Sequence, residues 1–221
     1  MCGRFATTLP TEAMVKLFEA TPANDLPEVP QFNVCPTTPV ATLRAGDTGR
    51  RLLAPMRWGF LPHWYKSPTD GPLLINARAE TIAEKPAFRA ACRTRRCLIP
   101  SAGFYEWHRA GEKKLPWFIR RRDGQPLVMA GIFQEWESGD TSLMTCAIVT
   151  TAANGVLAPI HHRMPVVLAP ADWPLWLGEK GKGAASLMVP APEDVLERYR
   201  VGGAVNSNRA SGPALMQPLE T

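Results

Sequence analysis

The second residue, Cys2 in Met1-Cys2-Gly3-Arg4-Phe5, concentrates more reactivity than any other position in the chain. Removal of an initiator Met ahead of so small a side chain leaves Cys2 with an α-amine and a thiol on adjacent carbons. An α-amine titrates near about 7.7–8.0 and a thiol near about 8.5, so both react close to neutral pH. Such a 1,2-aminothiol captures an aldehyde, first as an imine and then as a thiazolidine ring. The bland alternative is a cysteine in a frayed terminus. A choice between them rests on what else the chain brings to that end.

Four further segments carry polar residues where a strand would otherwise be apolar. In Leu74-Ile75-Asn76-Ala77-Arg78, an amide and a guanidinium two residues apart share one face of an extended chain. Together they make an anion or oxyanion site, or else an exposed strand end. In Gly103-Phe104-Tyr105-Glu106-Trp107, a carboxylate sits among aromatics. Desolvation there would raise its pKa toward the range of a general acid or base, and a structural ion pair with an arginine is the equal alternative. In Ile160-His161-His162-Arg163-Met164-Pro165, a histidine opens an apolar run. It is either a satisfied core or turn residue or a proton shuttle, with Arg163 beside it as a candidate phosphate ligand. In Arg57-Trp58-Gly59-Phe60-Leu61-Pro62-His63-Trp64-Tyr65, four aromatics make a loop able to stack on bases. Trp58 reads there as a core plug, and Trp64 as either plug or stacking platform.

These residues need a scaffold, and the pattern is mostly of strands. β-type runs recur at 39–45, 51–57, 96–100, 116–121, 126–133, 143–150 and 164–168, most of them separated by Gly, Pro or Asp turns. Lys113 to Ala130 reads as a hairpin about Asp123-Gly124, with Arg120-Arg121-Arg122 at its solvated end. Helices are predicted singly, at 11–20 with Thr11 as N-cap, around 81–92 despite Pro86, at 170–177 and at 192–198. The absence of regular βαβ alternation excludes a parallel doubly wound sheet. The class is α+β around a curved antiparallel, barrel-like sheet. The Ser-, Asn-, Gly- and Pro-rich tail 206–221 is expected to be loosely ordered.

Composition narrows the setting. With 221 residues, 45% hydrophobic and 20% charged, the chain suits a globular domain with a real core. No run of about 18 apolar residues and no signal-peptide pattern occur, so a cytoplasmic protein without membrane attachment is expected. Five cysteines without a CxxC pair (Cys2, Cys35, Cys92, Cys97, Cys146) fit a reducing compartment and offer no zinc motif. A net charge of +5 is a weak sign of a polyanionic partner.

The segments gain force from their order: MCGRF, then FNVCPT at 32–37, WGFLPHW at 58–64, INARAET at 75–81, PSAGFYEW at 100–107 and HHRMP at 161–165. Over residues 2–200 this set resembles the SOS response-associated peptidase (SRAP) family of abasic-site processing proteins. The resemblance implies one compact α+β domain over 1–205, with a few helices around a barrel-like core. It implies a positively charged channel for single-stranded DNA containing abasic sites, and covalent thiazolidine chemistry at Cys2 with lyase-like Schiff-base character. Cys2 matches the family nucleophile, and Asn76, Glu106 and His161 its active-site partners. His161 takes that place over His162 because the motif runs His-x-Arg-Met-Pro. Arg4, Arg78 and Arg163 match phosphate-contacting arginines, Trp64 and Trp107 the aromatics flanking bent DNA, and Asn33 and Pro36 a loop lining the pocket. Neither metal nor organic cofactor is implied. A monomer, nucleoid-associated when on DNA, is expected. The alternatives are an N-terminal-cysteine peptidase with autoproteolytic activity, and a single-strand binding module whose cysteine is incidental.

Overall fold

The computed structural model describes residues 2–46 and 49–219. In chain order the elements are β1 (Phe5–Thr7), α1 (Thr11–Phe18), β2 (Ala20–Pro22), β3 (Gln31–Val34), β4 (Pro39–Ala45), β5 (Arg51–Trp58) and β6 (Asn76–Arg78). They continue as α2 (Arg89–Thr94), β7 (Arg96–Ser101), β8 (Gly103–Ala110), β9 (Lys113–Arg121), β10 (Leu127–Ser138), β11 (Thr141–Ala152), β12 (Arg163–Pro165), α3 (Trp173–Leu177) and β13 (Leu196–Arg200). Among the described residues, no helix is long and apolar enough to cross a membrane.

Five strands close on themselves. β11 pairs with β10, β10 with β7, β7 with β4, β4 with β5, and β5 returns to β11. Closure leaves these strands no free edges, which is how a sheet of apolar strands avoids pairing with other chains. The expected barrel-like core is therefore present, with one correction: the closing pair is parallel, Thr145 opposite Arg57 and Cys146 opposite Trp58. β6 also joins β11 in parallel, and β2 joins β5. Parallel pairs need long crossovers, and strand periodicity carries no sign of direction.

A second sheet, in the order β13-β9-β8-β1-β3, stands against this barrel. Strand residues alternate faces. Phe5, Phe104, Ile119 and Leu196 point inward and share a core with Cys2, Trp58, Ile148 and Met164. Ala6, Tyr105 and Phe118 point outward, where Val201, Val205 and Leu215 cover them. The alternation decides the site, because it sends Glu106 to the inner face and Trp107 to the outer.

Several predicted elements are corrected. The turn at Asp123-Gly124 forms, with Gly124 at φ 72°, but its two strands diverge. β9 pairs with β8 and β13, while β10 pairs with β7 and β11, so no hairpin exists. The segment predicted as a helix at 192–198 instead turns at 193–195 and enters β13 at Leu196. Leu196, Arg198 and Arg200 alternate with Glu197 and Tyr199, and the free edge of β9 takes them up as a strand. Around 81–92 the chain turns repeatedly and becomes helical only from Arg89, because Pro86 has no N–H and disfavours helix at Lys85. α1 starts at Thr11 with Pro10, not Thr11, as its N-cap. In the tail, Leu215 is 5% exposed and the Tyr199 hydroxyl donates to Met216 O at 2.9 Å, while most of its other described residues are exposed.

Truncating a buried leucine leaves a cavity, and Leu215→Ala is expected to lower unfolding free energy by about 2–5 kcal/mol. Chemical denaturation checks this. A loosely ordered tail would show no change.

Candidate active site

Cys2 is 1% exposed. A terminus ordinarily frays, and this one is fixed by pairing of the next residues and by one side chain. Phe5 and Ala6 lie opposite Phe104 and Gly103, and Asn76 Nδ2 donates to Cys2 O at 2.9 Å. Asn76 is brought there by the parallel pairing of β6 with β11, Asn76 opposite Ile148. Its other amide atom, Oδ1, is buried and accepts no hydrogen bond among the described residues. A held acceptor of this kind suits an N–H or hydroxyl arriving beside Cys2.

Glu106 reaches the same place from β8. It is 4% exposed, and its charge acts on both neighbours. Burial first, and Glu106 second, push the Cys2 thiol well above its ordinary value, so the sulfur stays protonated at neutral pH. His161 is pulled both ways. Burial pushes its imidazole below 6.5, while the Glu106 carboxylate opposes that shift. The Arg163 backbone N–H donates to His161 Nδ1 at 2.9 Å, which places the proton of the neutral ring on Nε2. The ring stacks on exposed His162 with centroids 4.3 Å apart. Thus four residues expected to act together, Cys2, Asn76, Glu106 and His161, are linked by hydrogen bonding or by charge.

The residues expected to hold a strand divide into three groups. Arg78 is exposed and, with Trp64, Asn76 and Lys85, lines an open groove of about 620 Å³. Trp64 is 47% exposed while Trp58 is fully buried and donates from Nε1 to Ile75 O, so Trp58 is the core plug and Trp64 is left open to the groove. Arg163, by contrast, is committed elsewhere. Its guanidinium grips Glu80 with both ends, at 2.7 and 2.9 Å, and donates to Thr150 O at 2.7 Å. That pair holds the Glu80 carboxyl below the usual carboxylate range. Arg163 contacts His161 through its backbone, while its guanidinium is paired with Glu80 and Thr150.

The third group lies on the outer face. Arg4 donates to Asn33 Oδ1 at 2.7 Å, and its guanidinium carbon lies 5.9 Å from the centroid of the Trp107 ring. Asn33, on β3 and not in a loop, donates to Ser207 O and Ala210 O, and Trp107 Nε1 donates to Asn206 Oδ1. Pro36 sits half-buried in the turn after β3. Sequence reasoning missed Glu80 and Asn206, which position these groups. Glu80 follows Arg78 by two in the same motif, but nothing in the spacing shows that its partner is 83 residues away. A separate cavity of about 590 Å³ under the tail contains none of these side chains. Its two arginines are already engaged, Arg120 by Glu197 and Arg121 by Asp123.

The displaced histidine gives a test. Its unfolded ring keeps the ordinary value, so on acidification the unfolded chain takes up the proton first. The stability His161 contributes is complete above about pH 6.5 and is lost as pH falls below it. An NMR titration should find the His161 midpoint below 6.5, and lower still in Glu106→Gln, which removes a charge favouring imidazolium. A midpoint at or above the ordinary value would contradict the burial.

Known proteins share both sequence and architecture. The family model described as SOS response associated peptidase (SRAP) matches residues 1–208. The chain is 36% identical over 225 residues to the abasic site processing protein YoqW of Bacillus subtilis, covering 98% of this chain and 99% of that one. Against the abasic site processing protein YedK of Escherichia coli it is 36% identical over 230 residues, covering 99% and 100%. A crystal structure of a protein from Bacteroides thetaiotaomicron matches with a TM-score of 0.87 at 26% identity, covering 99% and 100% of the two chains. With a family model spanning nearly its full length, and the ordered motifs converging on Cys2, the chain belongs to the SOS response associated peptidase (SRAP) family.

Proposed function

We propose that the protein processes abasic sites in single-stranded DNA by forming a thiazolidine through Cys2 once Met1 is removed. The observation that carries this reading is a buried Cys2 whose carbonyl is held by Asn76 and whose thiol feels the charge of Glu106. Relatives at 36% identity that are named abasic site processing proteins support it.

The steps balance with these residues alone. His161 donates its Nε2 proton to the ring oxygen of the abasic sugar while the C1′ hydroxyl gives its proton to Glu106. The C1′–ring oxygen bond breaks to give the aldehyde, and the proton on Glu106 returns to His161. The Cys2 amine adds to C1′, a proton passes through Glu106 to the resulting hydroxyl, and water leaves to give the imine. The thiol sulfur then bonds to the same carbon, and its proton ends on the former amine nitrogen. One water is lost overall, and no oxidant or reductant is involved. Both nucleophiles sit on one fixed residue, so ring closure has a high effective molarity. Reversal through the imine would give the lyase-like character. A peptidase acting through Cys2 needs a thiolate, and burial opposes that form.

Mixing the protein with abasic or intact single-stranded oligonucleotide should give a denaturation-resistant adduct with the abasic strand only. Cys2→Ala and a form retaining Met1 should both lose it, by at least about tenfold, while binding intact strand as before. An equal adduct from either form would remove the aminothiol mechanism, and no adduct from processed native protein would remove the function.

A further inference from the structure

The inner face of the five-stranded sheet carries a cationic group that no motif marks. Glu106 on β8 lies opposite Trp117 on β9, and Trp117 lies opposite Arg200 on β13. Arg198, opposite Ile119, shares this face one pair along. Glu197 and Tyr199 take the other face, where Glu197 pairs with Arg120 at 2.7 Å and Tyr199 packs on Phe118. A row of side chains thus runs from Glu106 across Trp117 to two arginines.

Both guanidinium groups converge on one indole. Arg198 Cζ is 5.3 Å and Arg200 Cζ 5.8 Å from the Trp117 ring centroid. Each such interaction is weakly attractive, and two like charges over one ring repel. Nothing on the strand offsets that repulsion, since its one acid is turned away. Among the described residues neither arginine forms an ion pair, whereas Arg51, Arg120, Arg121 and Arg163 each do. Among the same residues, Trp117 Nε1 and Arg200 Nε are buried donors without an acceptor. Paired cations with unspent donors fit an anion with several oxygens.

We infer that Arg198 and Arg200, braced on Trp117, bind a backbone phosphate of the DNA strand on the side of Cys2 and Glu106 opposite Arg78. The inference rests on the function proposed above and adds a phosphate site to it. Asn76 ties Cys2 to the barrel sheet that carries Arg78. Arg198 and Arg200 stand on the other sheet. A strand laid across Cys2 then meets a positive group on each side. With Arg163 held by Glu80, these two supply charge that the motif alone assigned elsewhere.

Two measurements test it. In the first, Arg198→Gln/Arg200→Gln, which keeps side-chain stems on the indole, is titrated with an intact single-stranded oligonucleotide at several salt concentrations. The affinity should fall roughly tenfold, and the slope of log K against log salt should shrink by about 0.7, the change for one fewer phosphate neutralised on a single strand. An unchanged slope in folded protein overturns the site. The second uses native protein and is independent of whether the variant folds. Bound oligonucleotide should protect Arg198 and Arg200 from phenylglyoxal, read by peptide mass. Equal modification with and without DNA also overturns the site. Adduct formation by native protein is scored separately, so failure of the covalent chemistry and failure of this phosphate site give different results.

Discussion

One hydrogen bond, from Asn76 to the carbonyl of Cys2, joins the two sheets at the point where the chemistry lies. Cys2 belongs to the strand edge leading into the five-stranded sheet, and Asn76 to a short strand held parallel on the barrel. The barrel must close for Asn76 to arrive, and the second sheet must pair correctly for Cys2 to arrive. A terminus that would otherwise sample many conformations is thereby fixed near a buried carboxylate and a half-buried imidazole. Fixing it involves an entropy cost of about 1–2 kcal/mol per residue. The inward-facing Phe5 and the strand pairing of Phe5 and Ala6 supply the offset.

The arginines show how little residue type says about availability. Arg4, Arg78 and Arg163 look alike in their motifs, each a cation near a reactive group. In the fold, Arg163 is enclosed and holds Glu80, Arg4 is fastened to Asn33, and Arg78 alone of the three opens onto the groove. The first two still matter, because Arg163 presents the N–H that fixes the tautomer of His161, and Arg4 lies over Trp107. In the fold both are tied to neighbouring protein groups. A channel for a polyanion is set by which cations lack a carboxylate, and that is a property of tertiary pairing.

What the sequence made legible follows the same line. The long strands from Pro39, Arg51, Arg96, Leu127 and Thr141 were readable because apolar runs bounded by turn residues have few other uses. Asn76 and Arg78 were correctly placed on one side of an extended segment. The local turn at Asp123-Gly124 was readable too, but not that its flanking strands join different partners. That error hid Trp117, since a hairpin partner on β10 leaves no reason to look across to β8 and β13. Reading 192–198 as a helix hid Arg198 and Arg200 in turn, because helical spacing scatters residues that a strand aligns. Pro192 and its acids look like a helix start, yet Glu193 instead accepts from Gly155 and Val156 N–H groups. Local signals were real in each case, and the free edge of β9 determined which of them prevailed.

The protonation states at the site give the arrangement its chemical logic. Burial raises the thiol and lowers the imidazole, so at neutral pH each is held uncharged. Neither then carries an uncompensated charge in a place poor in water, which would be costly to bury. Reactivity must come from transient proton movement, and Glu106 is the group within electrostatic reach of both. An aminothiol suits such a place better than a thiolate would. Its addition to an aldehyde starts from neutral partners and ends with a neutral ring, so the reaction adds no lasting ion to the one that Glu106 already places there.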